Sequence, residues 1–251
     1  MADGIVLLDG SMGQELMRRS AKPAMPLWSA QVLLDEPHLV EAVHYDFIMA
    51  GARVITLNAY AATPVRLAKN GQADRFEKLQ ADAIAVAQAA RSRSGRAVSI
   101  AGCLPPLVAS YRPDLAPDHA DALAQYRVLV ALQAPSVDLF LAETLPSTHE
   151  AAAAARAARE SGRTVWVGLT VDDADGRRLR SGETLADGIA AARDNGADAV
   201  LVNCSTPEAT DRAMPILAGA GAAFGAYANG FRSVAPLKGA ATVDVLEARR
   251  D

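Results

Sequence analysis

Seven short runs rich in Val, Ile and Leu recur along the chain, each separated from the next by a stretch with helical periodicity. The runs are Ile5–Leu8, Arg53–Leu57, Ala97–Ala101, Val137–Ala142, Thr164–Leu169, Ala199–Val202 and Ala223–Tyr227. Short β-branched apolar runs predict strands. The stretches between them include His38–Ala50, Arg75–Ser92, Asp118–Leu132, Thr148–Ser161, Leu185–Asn195 and Pro207–Ala218. They are rich in Ala, Leu, Arg, Glu and Gln, which favour helix. Strands joined by helices rather than hairpin turns pair in parallel through right-handed crossovers. The strand runs are apolar on both faces, as a sheet covered by helices requires.

Two architectures meet this pattern, a doubly wound sheet and a (βα)8 barrel. No G-x-G-x-x-G follows Ile5–Leu8, so the dinucleotide-binding form loses support. A barrel has eight strands and about 250 residues, and the chain has 251 residues but seven strand runs, closing on the polar stretch Leu246–Asp251. The expected fold is α/β, a (βα)8 TIM barrel formed as one domain over residues 1–251, with its eighth strand missing from the chain.

Several helix ends carry their own markers. Gly51, Gly95, Gly162 and Gly196 follow helical runs, where a left-handed cap residue belongs. Ser147 is a candidate N-cap with Glu150 three residues on. Pro207 falls in a first helical turn behind the cap candidates Ser205 and Thr206.

Composition excludes whole classes of function. Hydrophobic residues make up 51% and charged residues 22%, enough apolar side chain for a sizeable core and too much for a disordered chain. The formal net charge of −4 argues against a nucleic-acid partner. No apolar run reaches the length of about 18 residues that spans a bilayer. MADGIVLLDG lacks the basic and long apolar regions of a signal peptide. Cys103 and Cys204 are the two cysteines, which rules out a disulfide scaffold and fits a reducing cytoplasm.

In a barrel, functional groups project from the C-terminal ends of the strands. Those ends hold Asp9, Asn58, Cys103, Glu143, Thr170, Asn203, Cys204, Tyr227 and Asn229. The histidines, His38, His44, His119 and His149, all fall in or beside predicted helices and are expected on helix surfaces. That leaves no Ser-His-Asp triad and no histidine metal site. Asp9 and Glu143 are candidates for acid/base work or for anchoring an ammonium group, with Asp9 equally suited to a turn before Gly10. Cys204 suits a nucleophile, a metal ligand or a small core side chain. Cys103 reads as core.

Six segments together resemble the homocysteine S-methyltransferase family, in particular its short single-domain members. They are LLDGSMGQEL (residues 7–16), GCLPPLVASYRPDL (102–115), DLFLAETLPS (138–147), RLRSGETL (178–185), VLVNCSTPE (200–208) and GAYANGF (225–231). The resemblance implies a (βα)8 barrel that methylates the thiol of homocysteine to give methionine. It implies Zn2+ held by three thiolates, with Cys204 as one ligand and an adjacent cysteine pair expected beyond Asp251. It implies that Asp9 and Glu143 hold the amino group of homocysteine, with Asn203 lining the substrate site. The methyl donor would be a sulfonium compound, S-methylmethionine in preference to S-adenosylmethionine. The expected partners are these small molecules, with no nucleic acid and no membrane. A different class of reading, a catalytically inactive barrel that only binds an amino acid, follows if the zinc site is incomplete. An acid/base enzyme using Asp9 and Glu143 without metal is a third.

Overall fold

A computed structural model describes residues 4–23 and 26–231; the stretch Leu246–Asp251 lies outside them. The residues fall into two compact units. One takes the chain up to Cys103 together with Leu132–Leu139, and the other takes Leu104–Ala131 and the chain from Phe140 onward.

The first unit carries helices α1 (Met12–Arg19), α2 (Ser29–Asp35), α3 (Pro37–Ala50), α4 (Pro64–Lys69) and α5 (Phe76–Ser94), with strands β1 (Val54–Thr56) and β2 (Ser99–Leu104). The two strands pair in parallel, Val54 opposite Ser99 and Thr56 opposite Ala101. Glycine ends both long helices as expected: Gly51 and Gly95 have φ of 115° and 62°, which costs glycine nothing and other residues about 1–2 kcal/mol. Cys103 is fully buried. Its backbone N–H donates to Gln133 Oε1 at 2.8 Å, and Gln133 in turn donates to Gln80 Oε1 at 2.8 Å. The core expectation for Cys103 therefore holds.

The second unit continues with α6 (His119–Gln133), β3 (Leu139–Leu145), α7 (Thr148–Glu160), β4 (Thr164–Leu169), α8 (Leu185–Asp194), β5 (Ala199–Asn203), α9 (Pro207–Gly219) and β6 (Ala223–Tyr227). Here too the strands run in chain order and in parallel. Trp166 lies opposite Ala199, and Asn203 opposite Tyr227. All five residues of β5 are buried, as a strand covered on both faces must be. The helix starts follow their caps. Ser147 Oγ accepts from Glu150 N, Thr184 Oγ1 from Asp187 N, and Thr206 Oγ1 from Ala209 N, each cap contributing about 1 kcal/mol. On α7 the alanines at 151, 153, 154, 155, 157 and 158 are buried; they favour helix and their short side chains let neighbours approach closely. Six parallel strands, the first five each followed in the chain by helix, make this the α/β alternation of a TIM barrel.

Three expectations need correction. Ile5–Leu8 does not form a strand: only Leu8 makes a bridge, to Val54. Arg53 N donates to Leu7 O and Asp9 N to Val54 O, while Ile5, Val6 and Leu7 remain 81%, 50% and 55% exposed. These two bonds pair a single residue with β1, which leaves a bridge rather than a strand. Helices α1, α2 and α4 were not anticipated; at eight, seven and six residues they span about two turns and show too few repeats of the apolar period. Finally, His44 is not a surface residue. It is fully buried on the α3 stripe with Val40, Val43 and Ile48.

Among the described residues no helix is long and apolar enough to cross a membrane.

Candidate functional site

The C-terminal ends of β3, β5 and β6 bring Glu143, Asn203, Cys204 and Tyr227 together in the second unit. Asn203 is fully buried and its amide is used in both directions. Oδ1 accepts from Thr144 N at 2.8 Å, while Nδ2 donates to Thr144 Oγ1 at 2.9 Å and to Cys204 Sγ at 3.4 Å. Asn203 thus acts by fixing Thr144 and the thiol. Tyr227 Oη donates to Glu143 Oε2 at 3.2 Å. Glycine at 168, on β4, makes room for both. A Cβ there would lie 2.8 Å from Asn203 Oδ1 and 3.3 Å from Tyr227 Oη, closer than packed atoms sit.

The backbone at this site is strained. Thr144 has φ 63°, Cys204 φ 50° and Tyr111 φ 61°, a conformation that non-glycine residues adopt only when surrounding bonds over-determine it. At Cys204 those bonds are clear. Its N–H donates to Tyr227 O at 3.2 Å. Its carbonyl accepts from Thr170 Oγ1 at 3.1 Å and from Arg180 Nη2 at 3.3 Å.

Cys204 as a whole is half-buried, but its thiol is shielded. Burial pushes the thiol up to about 11, and the negative charge of Glu143 acts in the same direction. Hydrogen bonds from Thr144 and Tyr111 and the charge of Arg180 oppose the rise. On these groups alone the sulfur is a protonated thiol at neutral pH, and a thiolate here needs a further positive partner.

Soft thiolate donors suit zinc, so Cys204 is chemically fit as a ligand. Zinc takes three or four protein ligands, and among the described residues no three His, Cys, Asp or Glu side chains come together as a metal-binding group. The described residues do not by themselves hold a metal.

Asp9 belongs to the first unit. Its Oδ2 accepts from Thr56 N at 2.7 Å and its Oδ1 from Thr56 Oγ1 at 3.3 Å, so it clamps the end of β1. Tyr111, Thr144 and Arg180 were missed as site residues in the sequence. Each lies in a segment that carries the family resemblance, but their convergence on Cys204 depends on long-range packing.

Residues 6–247 match the family model described as homocysteine S-methyltransferase. The chain belongs to the homocysteine S-methyltransferase family. Its members are methyltransferases, and most of the curated relatives carry the name. Homocysteine S-methyltransferase 4 of Zea mays is 31% identical over 229 residues, covering 82% of this chain and 67% of the relative. Homocysteine S-methyltransferase of Escherichia coli is 31% identical over 232 residues, covering 86% and 74%. The crystal structure of the E. coli homocysteine methyltransferase MmuM in its metallated form superposes with a TM-score of 0.78 at 26% identity, covering 92% of this chain and 93% of that one. The fold of this family therefore extends over nearly the whole chain.

Proposed function

We propose that the second-unit site receives homocysteine and transfers to its sulfur a methyl group from a sulfonium donor, S-methylmethionine in preference to S-adenosylmethionine, giving methionine. The observation that carries this reading is the placement of the Cys204 thiol and the Glu143 carboxylate towards the C-terminal ends of β5 and β3, the thiol held by buried Asn203 and the carboxylate by Tyr227, in a chain of this family. The names of the curated relatives support homocysteine as the acceptor.

The reaction is a displacement at carbon. The homocysteine sulfur forms a bond to the methyl group, the bond from that methyl to the sulfonium sulfur breaks, and its electron pair stays on the donor as a neutral thioether. The thiol proton is lost to solvent. Opposite charges vanish as the reaction proceeds, so a site sheltered from water favours it. Glu143 faces the cationic amino group of the substrate, and Tyr227 Oη holds the carboxylate in place. Asn203 and Thr144 fix the thiol of Cys204. In this reading Cys204 gives one thiolate to Zn2+, the other donors coming from outside the described residues; bound zinc would favour the deprotonated form of a substrate thiol.

The test is metal content and methyl transfer in the full-length protein with Cys204→Ala. The reading requires loss of stoichiometric zinc and a fall in turnover of at least about 100-fold, beyond the 10–100-fold typical of residues that only support a ligand. Full zinc and normal turnover in the variant would refute it.

A further inference from the structure

The segment RLRSGETL (residues 178–185) contributes no residue to the reaction above, yet it sends one side chain to the site. Arg180 lies in the loop between β4 and α8, and its side chain is only 4% exposed. A buried guanidinium is costly unless its donors and charge are matched. Here they are. Nη2 pairs with Asp173 Oδ1 at 3.0 Å, and Nε donates to Thr170 Oγ1 at 2.9 Å. Nη2 also reaches Cys204 O at 3.3 Å. The guanidinium carbon Cζ lies over the Tyr111 ring, 4.8 Å from its centre.

The partners share one property. Cys204 and Tyr111 both hold left-handed backbone, φ 50° and 61°, and both meet at the thiol, where Tyr111 is a hydrogen-bond partner. Thr170, the third partner, itself donates to Cys204 O at 3.1 Å. Asp173 does more than balance the charge: its Oδ1 also accepts from Thr206 N at 3.1 Å, two residues beyond Cys204. The turn from 203 to 206 is therefore gripped at its strained residue and at its exit by one Arg–Asp pair.

We infer that Arg180, locked by Asp173, is the positioning residue that holds Cys204 in its left-handed conformation and Tyr111 against the thiol. The work is done by the planar fork of donors and the flat stacking face, not by the charge alone. Lysine offers a charge but neither the fork nor the face, so Arg180→Lys does not substitute. The inference deepens the proposed role of Cys204 as a functional thiol, but its test does not depend on turnover.

The test follows alkylation of the two cysteines by iodoacetamide in the full-length protein without added metal, at one fixed pH, with each site quantified by peptide mass spectrometry. Cys103, buried in the first unit, reports general loosening. Arg180→Met and Arg180→Lys are both expected to change the Cys204 rate at least fivefold while Cys103 stays protected. Asp173→Asn, which keeps the guanidinium but weakens its lock, is expected to change it in the same direction by less. Restoration of the wild-type Cys204 rate by lysine would replace the positioning role with a purely electrostatic one. A Cys204 rate within twofold of wild type in Arg180→Met, or equal exposure of Cys103, would overturn the inference. Failure of methyl transfer in the wild-type protein would contradict the functional reading and leave this result standing.

Discussion

Tyr227 Oη donates to Glu143 Oε2 at 3.2 Å, joining the end of β6 to the end of β3. In the proposed reading Glu143 meets the substrate ammonium, and a carboxylate with that task gains from being held before the substrate arrives. Tyr227→Phe removes that one bond and leaves the ring. A hydrogen bond to a charged group contributes about 1.5–3 kcal/mol, and part of that loss is recovered by water. We expect KM for homocysteine to rise about threefold to tenfold with a smaller effect on kcat. In a Glu143→Gln background the Tyr227 effect should shrink, because the two act through one contact. Steady-state kinetics on the four proteins of the cycle measures it.

Glu143→Gln keeps size and shape but removes the charge. Loss of the anchor should weaken homocysteine binding by about 1.5–3 kcal/mol, the range for a charged hydrogen bond. A thiol substrate lacking the amino group should be almost insensitive to the change. Competition binding with the two thiols separates the outcomes, since equal losses for both would remove the anchoring role.

Gly168→Ala tests the close packing behind the site. The added methyl would sit 2.8 Å from Asn203 Oδ1, so the amide must shift, and with it the contacts to Thr144 and Cys204. Overpacking of this kind costs about 1–3 kcal/mol. The urea midpoint should fall and methyl transfer should fall with it.

His44 gives a pH dependence to the stability. Burial lowers its pKa from 6.5 to about 4, and both ring nitrogens are buried without a hydrogen-bond partner. Between those values the unfolded chain binds the proton and the folded chain does not, so stability falls as pH drops from about 6.5 to 4. A difference of that size corresponds to about 3 kcal/mol. His44→Phe should abolish this component, so its stabilising effect grows as pH falls from about 6.5 and levels off below about 4. Denaturation midpoints of the two proteins at pH 7 and pH 4.5 are the check; parallel curves would show that His44 does not titrate on unfolding.

Much of this was legible in the chain. The runs at Thr164–Leu169 and Ala223–Tyr227 coincide with β4 and β6, because short apolar runs between helical stretches favour strand. Gly51 and Gly95 mark their helix ends because only glycine accepts that backbone cheaply. What failed, failed for physical reasons. Ile5–Leu8 has strand composition, but composition does not tell how many of its residues find a pairing partner, and only Leu8 does. The burial of His44 is readable from Val40 and Ile48, four residues to either side on the same apolar stripe. Glu143, Asn203 and Cys204 stood out because strand ends collect functional groups. Arg180 did not, since its neighbours Tyr111 and Cys204 are distant in sequence and meet it only in the folded unit.

The most direct test of the account follows carbon-13-labelled homocysteine in the full-length zinc-supplied protein with S-methylmethionine or S-adenosylmethionine as donor. The account predicts labelled methionine with at least one donor, faster with S-methylmethionine, and its loss in Cys204→Ala. No labelled methionine with either donor, or undiminished formation in Cys204→Ala, would contradict it.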